Sequence, residues 1–92
     1  MSQTRWTMLI SGRVQGVYYR AATEKTATEL GVTGFALNLP DGRVEVVAEA
    51  EPATLEQFHQ WCLQGPPAAR VDKIDVTESP ATGEFARFSI RR

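Results

Sequence analysis

The sequence has few of the residues that bind metals or form cross-links, with one cysteine, Cys62, and one histidine, His59, among 92 positions. A single thiol cannot form an internal disulfide, and no grouping of His and Cys marks a zinc site. No cluster of carboxylates indicates a magnesium site. We therefore expect no metal and no cofactor, with Cys62 as a small core residue and His59 in a structural role.

Long apolar runs and an excess of charge of one sign are missing as well. No segment approaches the roughly 20 consecutive apolar residues that a membrane helix needs. Ten basic residues nearly balance eleven acidic ones, which gives a formal net charge of −1 at pH 7, whereas nucleic-acid-binding proteins usually carry a basic face. The start of the chain lacks the apolar core of a secretory signal. These absences predict a cytoplasmic protein that binds neither membranes nor nucleic acid.

Chain length and composition predict one compact unit. With 92 residues, of which 42% are hydrophobic and 23% charged, the chain is long enough for one hydrophobic core and too short for two. No linker, repeat or low-complexity segment divides it. We expect a single domain over residues 1–92, and a monomer because no long exposed apolar edge is evident.

Hydrophobic periodicity predicts the element order β-α-β-β-α-β with an additional short C-terminal strand. Strands are expected at residues 6–10, 32–39, 43–49, 71–78 and about 85–91, and helices at residues 19–30 and about 52–64. This order is typical of the ferredoxin-like α+β fold, in which two helices cover one face of an antiparallel sheet.

Local signals support these boundaries. Gly31 follows the first helix, where glycine easily adopts the left-handed conformation of a C-cap. The sequence Pro40-Asp41-Gly42 between two extended runs predicts a hairpin. Helical spacing places two sets of residues on shared faces, which are Ala22, Thr26, Ala27 and Leu30 on the first helix and Leu55, Phe58, Trp61 and Cys62 on the second.

The segment after the first strand has the composition of an anion-binding loop. The strand pattern leads into a loop bounded by Gly12 and Gly16, and the helix that follows carries Arg20 at its start. Glycines let successive N–H groups turn toward one point, and a helix start adds unpaired N–H groups and a positive dipole end. Arginine supplies a planar fork for phosphate or carboxylate. The sequence therefore predicts a pocket for a small oxyanion.

Two segments resemble the signatures of a known family. Residues 12–20, with the sequence GRVQGVYYR, and residues 34–45, with the sequence GFALNLPDGRVE, look like the paired signatures of the acylphosphatases. The resemblance spans nearly the whole chain and implies the same ferredoxin-like fold. The sequence departs from the usual family pattern at Leu39, where some relatives carry a hydroxyl, and at Ala50, where glycine is common.

The resemblance also implies roles for individual residues. Arg20 would bind the phosphoryl group together with loop residues that act mainly through their backbone N–H groups, namely Val14, Gln15, Gly16, Val17, Tyr18 and Tyr19. Asn38 would position the attacking water, although without the resemblance an asparagine before Pro-Asp-Gly is most simply a turn residue. We expect the side-chain amide of Gln15 to be structural. The two tyrosine rings could flank an acyl group, but aromatic rings beside a loop usually pack.

The residues available suit one kind of phosphoryl transfer. The loop lacks the Gly-Lys-Ser/Thr ending of a nucleotide P-loop, which argues against ATP hydrolysis. An acyl phosphate loses a carboxylate, whose conjugate acid has a pKa of about 4, so the leaving group needs no proton at neutral pH. Arg20, loop amides and a water held by Asn38 would be sufficient. We expect a metal-independent hydrolase that cleaves small acyl phosphates by direct attack of water.

Two other functions fit the same fold. A noncatalytic anion-binding or regulatory module would bind phosphate without turnover. A single-stranded nucleic-acid-binding domain would use the open face of the sheet. The chain lacks the aromatic and basic strand that such binding requires, which disfavours this second alternative.

Overall fold

A computed structural model describes residues 2–91, so Met1 and Arg92 of the expected domain lie outside the described residues. The elements along the chain are β1 (Thr4–Arg13), α1 (Tyr19–Leu30), β2 (Thr33–Asn38), β3 (Val44–Ala50), α2 (Pro52–Gln64), β4 (Arg70–Pro80) and β5 (Phe88–Arg91). The predicted order of elements is confirmed. Both helices begin and end where the sequence predicted, whereas β1 and β4 are longer than the hydrophobic pattern suggested.

The five strands form one sheet in the order β4-β1-β3-β2-β5. Neighbouring strands are antiparallel except at one edge, where β5 pairs in parallel with β2. The α+β ferredoxin-like prediction is confirmed, with the correction that the sheet is mixed. The chain reverses direction between β4 and β5 without an intervening helix. Because β4 also runs opposite to β2, β5 must run parallel to β2.

The connection from β4 to β5 crosses the sheet from one edge to the other. Four inter-strand spacings amount to about 19 Å, and the seven residues 81–87 can span that distance when extended. This segment lies over the sheet face opposite the helices, where Phe85 packs edge-on against Phe35 of β2 with ring centroids 5.8 Å apart. Residues 81–87 are called the crossover below.

The hydrophobic core lies between the helices and one face of the sheet. Met8 and Ile10 of β1 alternate with less buried neighbours, as the period-two pattern predicted. They belong to one cluster with side chains of α2, where Leu55, Phe58 and Cys62 are fully buried. The prediction that Cys62 is a small core residue is therefore confirmed.

The first helix buries only part of the predicted face, namely Ala27, together with residues that were not predicted. Its buried residues are Tyr19, Thr23 and Ala27, spaced four apart, whereas Ala22 is only half-buried. The helix ends as predicted, because Gly31 has φ 77° and the N–H of the next residue, Val32, donates to the Ala27 carbonyl over 2.8 Å.

Gly12 lies in a strand and not in the anion loop. Strand β1 continues to Arg13 and stays paired with β4, with a shift of register between Ser11 and Gly12. Gly12 has φ 130°, and a Cβ at this position would overlap the Arg70 carbonyl oxygen of β4. Its glycine therefore permits close approach of two backbones at a bulge. This corrects the expectation that the loop begins at Gly12.

Candidate active site

The connection between β1 and α1 is a short loop of residues 14–18, anchored by its own apolar side chains. Val14 and Val17 are buried in the main core. Between and after them, Gly16 has φ 74° and Tyr18 has φ 63°, so the backbone takes the left-handed conformation twice within three residues. The two buried valines anchor the loop in the core, and the other loop residues lie at the surface.

Gln15 ties this loop to the hairpin between β2 and β3. Its side-chain Nε2 donates to the Leu39 carbonyl over 2.8 Å and to the Arg43 carbonyl over 3.0 Å. The side-chain amide is thus structural. Since Asn38 directly precedes Leu39, these two hydrogen bonds hold the end of β2 beside the loop.

A cleft of about 410 Å³ opens between the loop, the first turn of α1 and the ends of β2 and β5. Six predicted site residues line it: Val14, Gly16, Tyr18, Tyr19, Arg20 and Asn38. Two predicted loop residues do not, since Gln15 is turned to the hairpin and Val17 to the core. Ala21 and Ile90 also line the cleft, and the sequence reasoning missed both.

The two missed residues differ in how they could have been found. Ala21 directly follows Arg20, so its place in the first helical turn was available from the helix prediction. Ile90 reaches the cleft because β5 pairs with β2 at the sheet edge, in the register Ala36 with Ile90. Such non-local pairing leaves no mark on the local sequence pattern.

Arg20 is the second residue of α1, and its side chain is oriented by β5. Its Nη1 donates to the Arg91 carbonyl over 2.8 Å. Within residues 2–91, the guanidinium forms no ion pair with a carboxylate, and the first turn of α1 contains no acidic residue. Arg20 therefore brings into the cleft a positive charge that no carboxylate of residues 2–91 neutralises, next to the positive end of the helix dipole.

Asn38 is the last residue of β2 and lines the same cleft. Its side-chain Oδ1 is buried, and no donor from residues 2–91 reaches it. Buried polar atoms in folded proteins nearly always have a hydrogen-bond partner. An unpartnered buried acceptor beside an unneutralised arginine is typical of a site that binds a ligand with both O–H and anionic groups.

The backbone amides of the loop provide further donors. Among residues 2–91, the N–H groups of residues 15–18 donate to no protein acceptor. The first N–H groups of α1 have no carbonyl partner within the helix, as at any helix start. Loop amides, helix start and Arg20 together concentrate positive potential at one end of the cleft.

The two tyrosines after the loop have opposite environments. Tyr19 is buried, and its hydroxyl donates to the Cys62 carbonyl over 2.6 Å, which joins α1 to α2. Burial raises the pKa of this hydroxyl, so it remains protonated. Burial likewise raises the pKa of the Cys62 thiol to about 12, which keeps it un-ionised at neutral pH and excludes it as a nucleophile. Tyr18 is 83% exposed, which corrects the expectation that its ring packs against the protein.

Residues 2–91 contain no group of three or more His, Cys, Asp or Glu side chains that could hold a metal ion. None of the helices in this range is long and apolar enough to span a membrane. The single histidine, His59, packs edge-on against Trp6 with ring centroids 6.0 Å apart, on the far helix.

Known proteins resemble this chain in sequence and in structure. The acylphosphatase family model matches residues 6–90. An acylphosphatase of Marinobacter nauticus is 58% identical over 88 residues, covering 96% of each chain, and one of Methylococcus capsulatus is 52% identical over 85 residues, covering 92% of each. The crystal structure of the acylphosphatase from Bacillus subtilis superposes with a TM-score of 0.93 at 35% identity, over 97% of this chain and 99% of that one. The chain belongs to the acylphosphatase family.

Proposed function

We propose that this protein hydrolyses the carboxyl–phosphate anhydride bond of small acyl phosphates, with Arg20 and Asn38 as its catalytic residues. The proposal rests on one observation: the side chains of Arg20 and Asn38 belong to separate elements, and both line the same cleft. Within residues 2–91, one is a cation without a carboxylate partner, and the other has a buried acceptor without a donor. The family to which the chain belongs supports the reaction.

The phosphoryl group would bind at the positive end of the cleft. Arg20 would contact two of its oxygens through the guanidinium fork, since only one of its donors is committed to the Arg91 carbonyl. The N–H groups of the loop and of the α1 start would bind the remaining oxygens. In phosphoryl transfer the equatorial oxygens carry charge in the transition state, so fixed donors directed at them lower the barrier.

Asn38 would orient the attacking water. Its Oδ1 can accept a hydrogen bond from that water, but an amide does not take up a proton at neutral pH. The proton therefore passes to a phosphoryl oxygen of the substrate. The water oxygen forms a bond to phosphorus while the bond from phosphorus to the acyl oxygen breaks, and the electron pair leaves with the carboxylate. The products are a carboxylate and inorganic phosphate.

The chemistry of the leaving group explains why the reaction needs few catalytic groups. A carboxylate departs unprotonated at neutral pH because its conjugate acid has a pKa of about 4. Neither a general acid nor a metal ion is then required to stabilise it, and charge stabilisation by Arg20 and the amides remains the main demand. We accordingly propose a metal-independent reaction that uses no cofactor.

We further propose that residues 1–92 act as one monomeric domain in the cytoplasm. Leu63 and Val76, the most exposed large hydrophobic residues outside the cleft, lie on different elements, α2 and β4. Single exposed apolar residues are normal on monomers, whereas stable dimers bury large apolar patches. Sedimentation equilibrium at micromolar concentration tests the monomer directly, and a mass near twice 10.2 kDa would contradict it.

The test follows benzoyl phosphate hydrolysis in excess EDTA with wild type, Asn38→Ala and Gln64→Ala. Gln64 is an exposed amide at the end of α2 and serves as the matched control. We expect chelator-insensitive turnover, a kcat roughly 10²-fold lower in Asn38→Ala with KM much less affected, and wild-type kinetics in Gln64→Ala.

Two results would contradict these roles. If KM rose steeply in Asn38→Ala while bound substrate still turned over, Asn38 would bind substrate and not orient water. If folded wild-type protein bound phosphate but hydrolysed nothing, the protein would be a noncatalytic anion-binding module.

A further inference from the structure

Besides the polar groups of Arg20, Asn38 and the loop, the cleft is lined by the apolar side chains of Tyr18, Ala21 and Ile90. Its volume of about 410 Å³ lies within the range of small-molecule sites and exceeds what a phosphoryl group fills. An acyl phosphate has the matching construction, with an anionic group at one end and a carbon substituent at the other.

Tyr18 is unusual in both its exposure and its backbone. It is the most exposed large hydrophobic residue within residues 2–91, at 83%. Its φ of 63° makes it the one non-glycine residue with a positive φ in that range. Bulky residues rarely adopt this conformation, and asparagine or glycine would fit it with less strain. Neither packing nor local conformational preference accounts for a tyrosine here.

Ile90 of β5 also lines the cleft and is 37% exposed. In the parallel register it is paired with Ala36, whose side chain is fully buried on the helix-covered face of the sheet. Paired residues of adjacent strands direct their side chains to the same face. Ile90 therefore points to the side where α1 begins, one residue before the carbonyl that holds Arg20.

We infer that Tyr18 and Ile90 form the binding surface for the acyl group, and that they favour substrates with aromatic or other bulky apolar acyl groups over acetyl phosphate. The inference rests on the proposed function. Ala21 also lines the cleft, where its small side chain leaves room for the acyl group. Burial of apolar area against the tyrosine ring would provide the discrimination.

The experiment compares kcat/KM for benzoyl phosphate with kcat/KM for acetyl phosphate in wild type and four variants. Tyr18→Asn removes the ring and tolerates the left-handed backbone, whereas Tyr18→Phe keeps the ring. Ile90→Thr keeps the β-branched shape but is more polar. Val76→Thr makes the same kind of change at a 40% exposed strand position outside the cleft.

We expect wild type to prefer benzoyl phosphate by about tenfold or more. The ratio of the two kcat/KM values should fall roughly fivefold in Tyr18→Asn and in Ile90→Thr, mainly through a higher KM for benzoyl phosphate. It should stay at the wild-type value in Tyr18→Phe and Val76→Thr.

An unchanged ratio in both Tyr18→Asn and Ile90→Thr would overturn the inference. So would a wild type without preference for benzoyl phosphate. These failures are distinguishable from failure of the proposed function, since the latter would appear as no wild-type turnover of either substrate.

Discussion

The charge of Arg20 lies where an α-helix disfavours a cation, at the positive end of the helix dipole. Acidic neighbours do not offset it within the first turn of α1. Its Nη1 instead donates to the Arg91 carbonyl, which leaves other guanidinium donors directed at the cleft. A bound anion would remove the electrostatic conflict, in keeping with the proposed role of Arg20 in phosphoryl binding.

Arg20→Lys therefore tests geometry at constant charge. Lysine has a single ammonium group, which cannot bond the Arg91 carbonyl and two phosphoryl oxygens in fixed directions. We expect kcat/KM for benzoyl phosphate to fall by about 10²-fold or more, whereas Arg70→Lys, at a 75% exposed position on β4, should behave as wild type. Near wild-type kinetics in Arg20→Lys would show that charge alone suffices.

Single residues were predicted unevenly from the sequence. Cys62 was assigned correctly because its helical spacing with Leu55 and Phe58 is a strong local pattern. Glu49 is the opposite case, because this charged residue is only 1% exposed. Its burial depends on the crossover, which follows it by more than thirty positions. No local pattern could have shown that contact.

At the scale of elements, hairpins and helix caps were predictable because their causes are local. The Pro40-Asp41-Gly42 turn and the Gly31 cap both depend on neighbouring residues. Two other features depend on residues that are far apart in the sequence. They are the parallel pairing of β5 with β2 and the contact between the β1–α1 loop and the β2–β3 hairpin. The side chain of Gln15 joins the loop to the hairpin, although β3 lies between β1 and β2 in the sheet.

The buried face of α1 shows how tertiary contacts override a local pattern. The predicted face included Ala27, which is fully buried, but it did not include Thr23, which is fully buried as well. Its hydroxyl donates to the Tyr19 carbonyl over 2.7 Å, so it carries no unsatisfied polar atom into the core. A threonine in a helix can therefore occupy a core position in place of an apolar residue. A hydropathy pattern does not predict this, because threonine counts as polar.

The pairing of β2 with β3 depends on a glycine. Gly34 has φ 138°, and a Cβ there would overlap the Val47 carbonyl oxygen, which belongs to the backbone and cannot move aside. We expect Gly34→Ala to lower the free energy of unfolding by roughly 3 kcal/mol or more, from backbone strain and overlap together. Gly42→Ala, also at positive φ but with open space around it, should lose only about 1 kcal/mol. Urea denaturation followed by circular dichroism measures both, and equal losses would mean that backbone strain alone matters.

At the scale of the whole molecule, one buried carboxylate fastens the crossover to the sheet. Glu49 accepts hydrogen bonds from the N–H groups of Thr82 and Gly83 over 2.9 and 3.1 Å, and from the Arg5 Nε over 2.8 Å. The crossover leads into β5, whose Arg91 carbonyl orients Arg20. A cluster on the open face of the sheet thus supports the active site on the opposite side.

Glu49 also gives the stability of the molecule a pH dependence. Burial alone would raise the pKa of its carboxyl, but the hydrogen bonds from Thr82, Arg5 and Gly83 outweigh burial and hold the pKa below its ordinary value of 4.5. A carboxyl whose folded pKa is depressed binds its proton more readily in the unfolded chain. Its stabilisation is therefore complete above the ordinary value and is lost as the pH falls through the folded value.

Glu49→Gln separates this contribution from that of other acids, because glutamine keeps the shape and does not titrate. We expect the variant to be less stable than wild type by about 2 kcal/mol at pH 7, since the Arg5 charge loses its buried partner. The difference should shrink at about pH 3.5, where the unfolded wild-type carboxyl is largely protonated. Urea denaturation of both proteins at the two pH values measures it. If the difference in the free energy of unfolding were the same at both pH values, it would arise from shape and hydrogen bonding. A contribution from charge would disappear when the carboxyl is protonated.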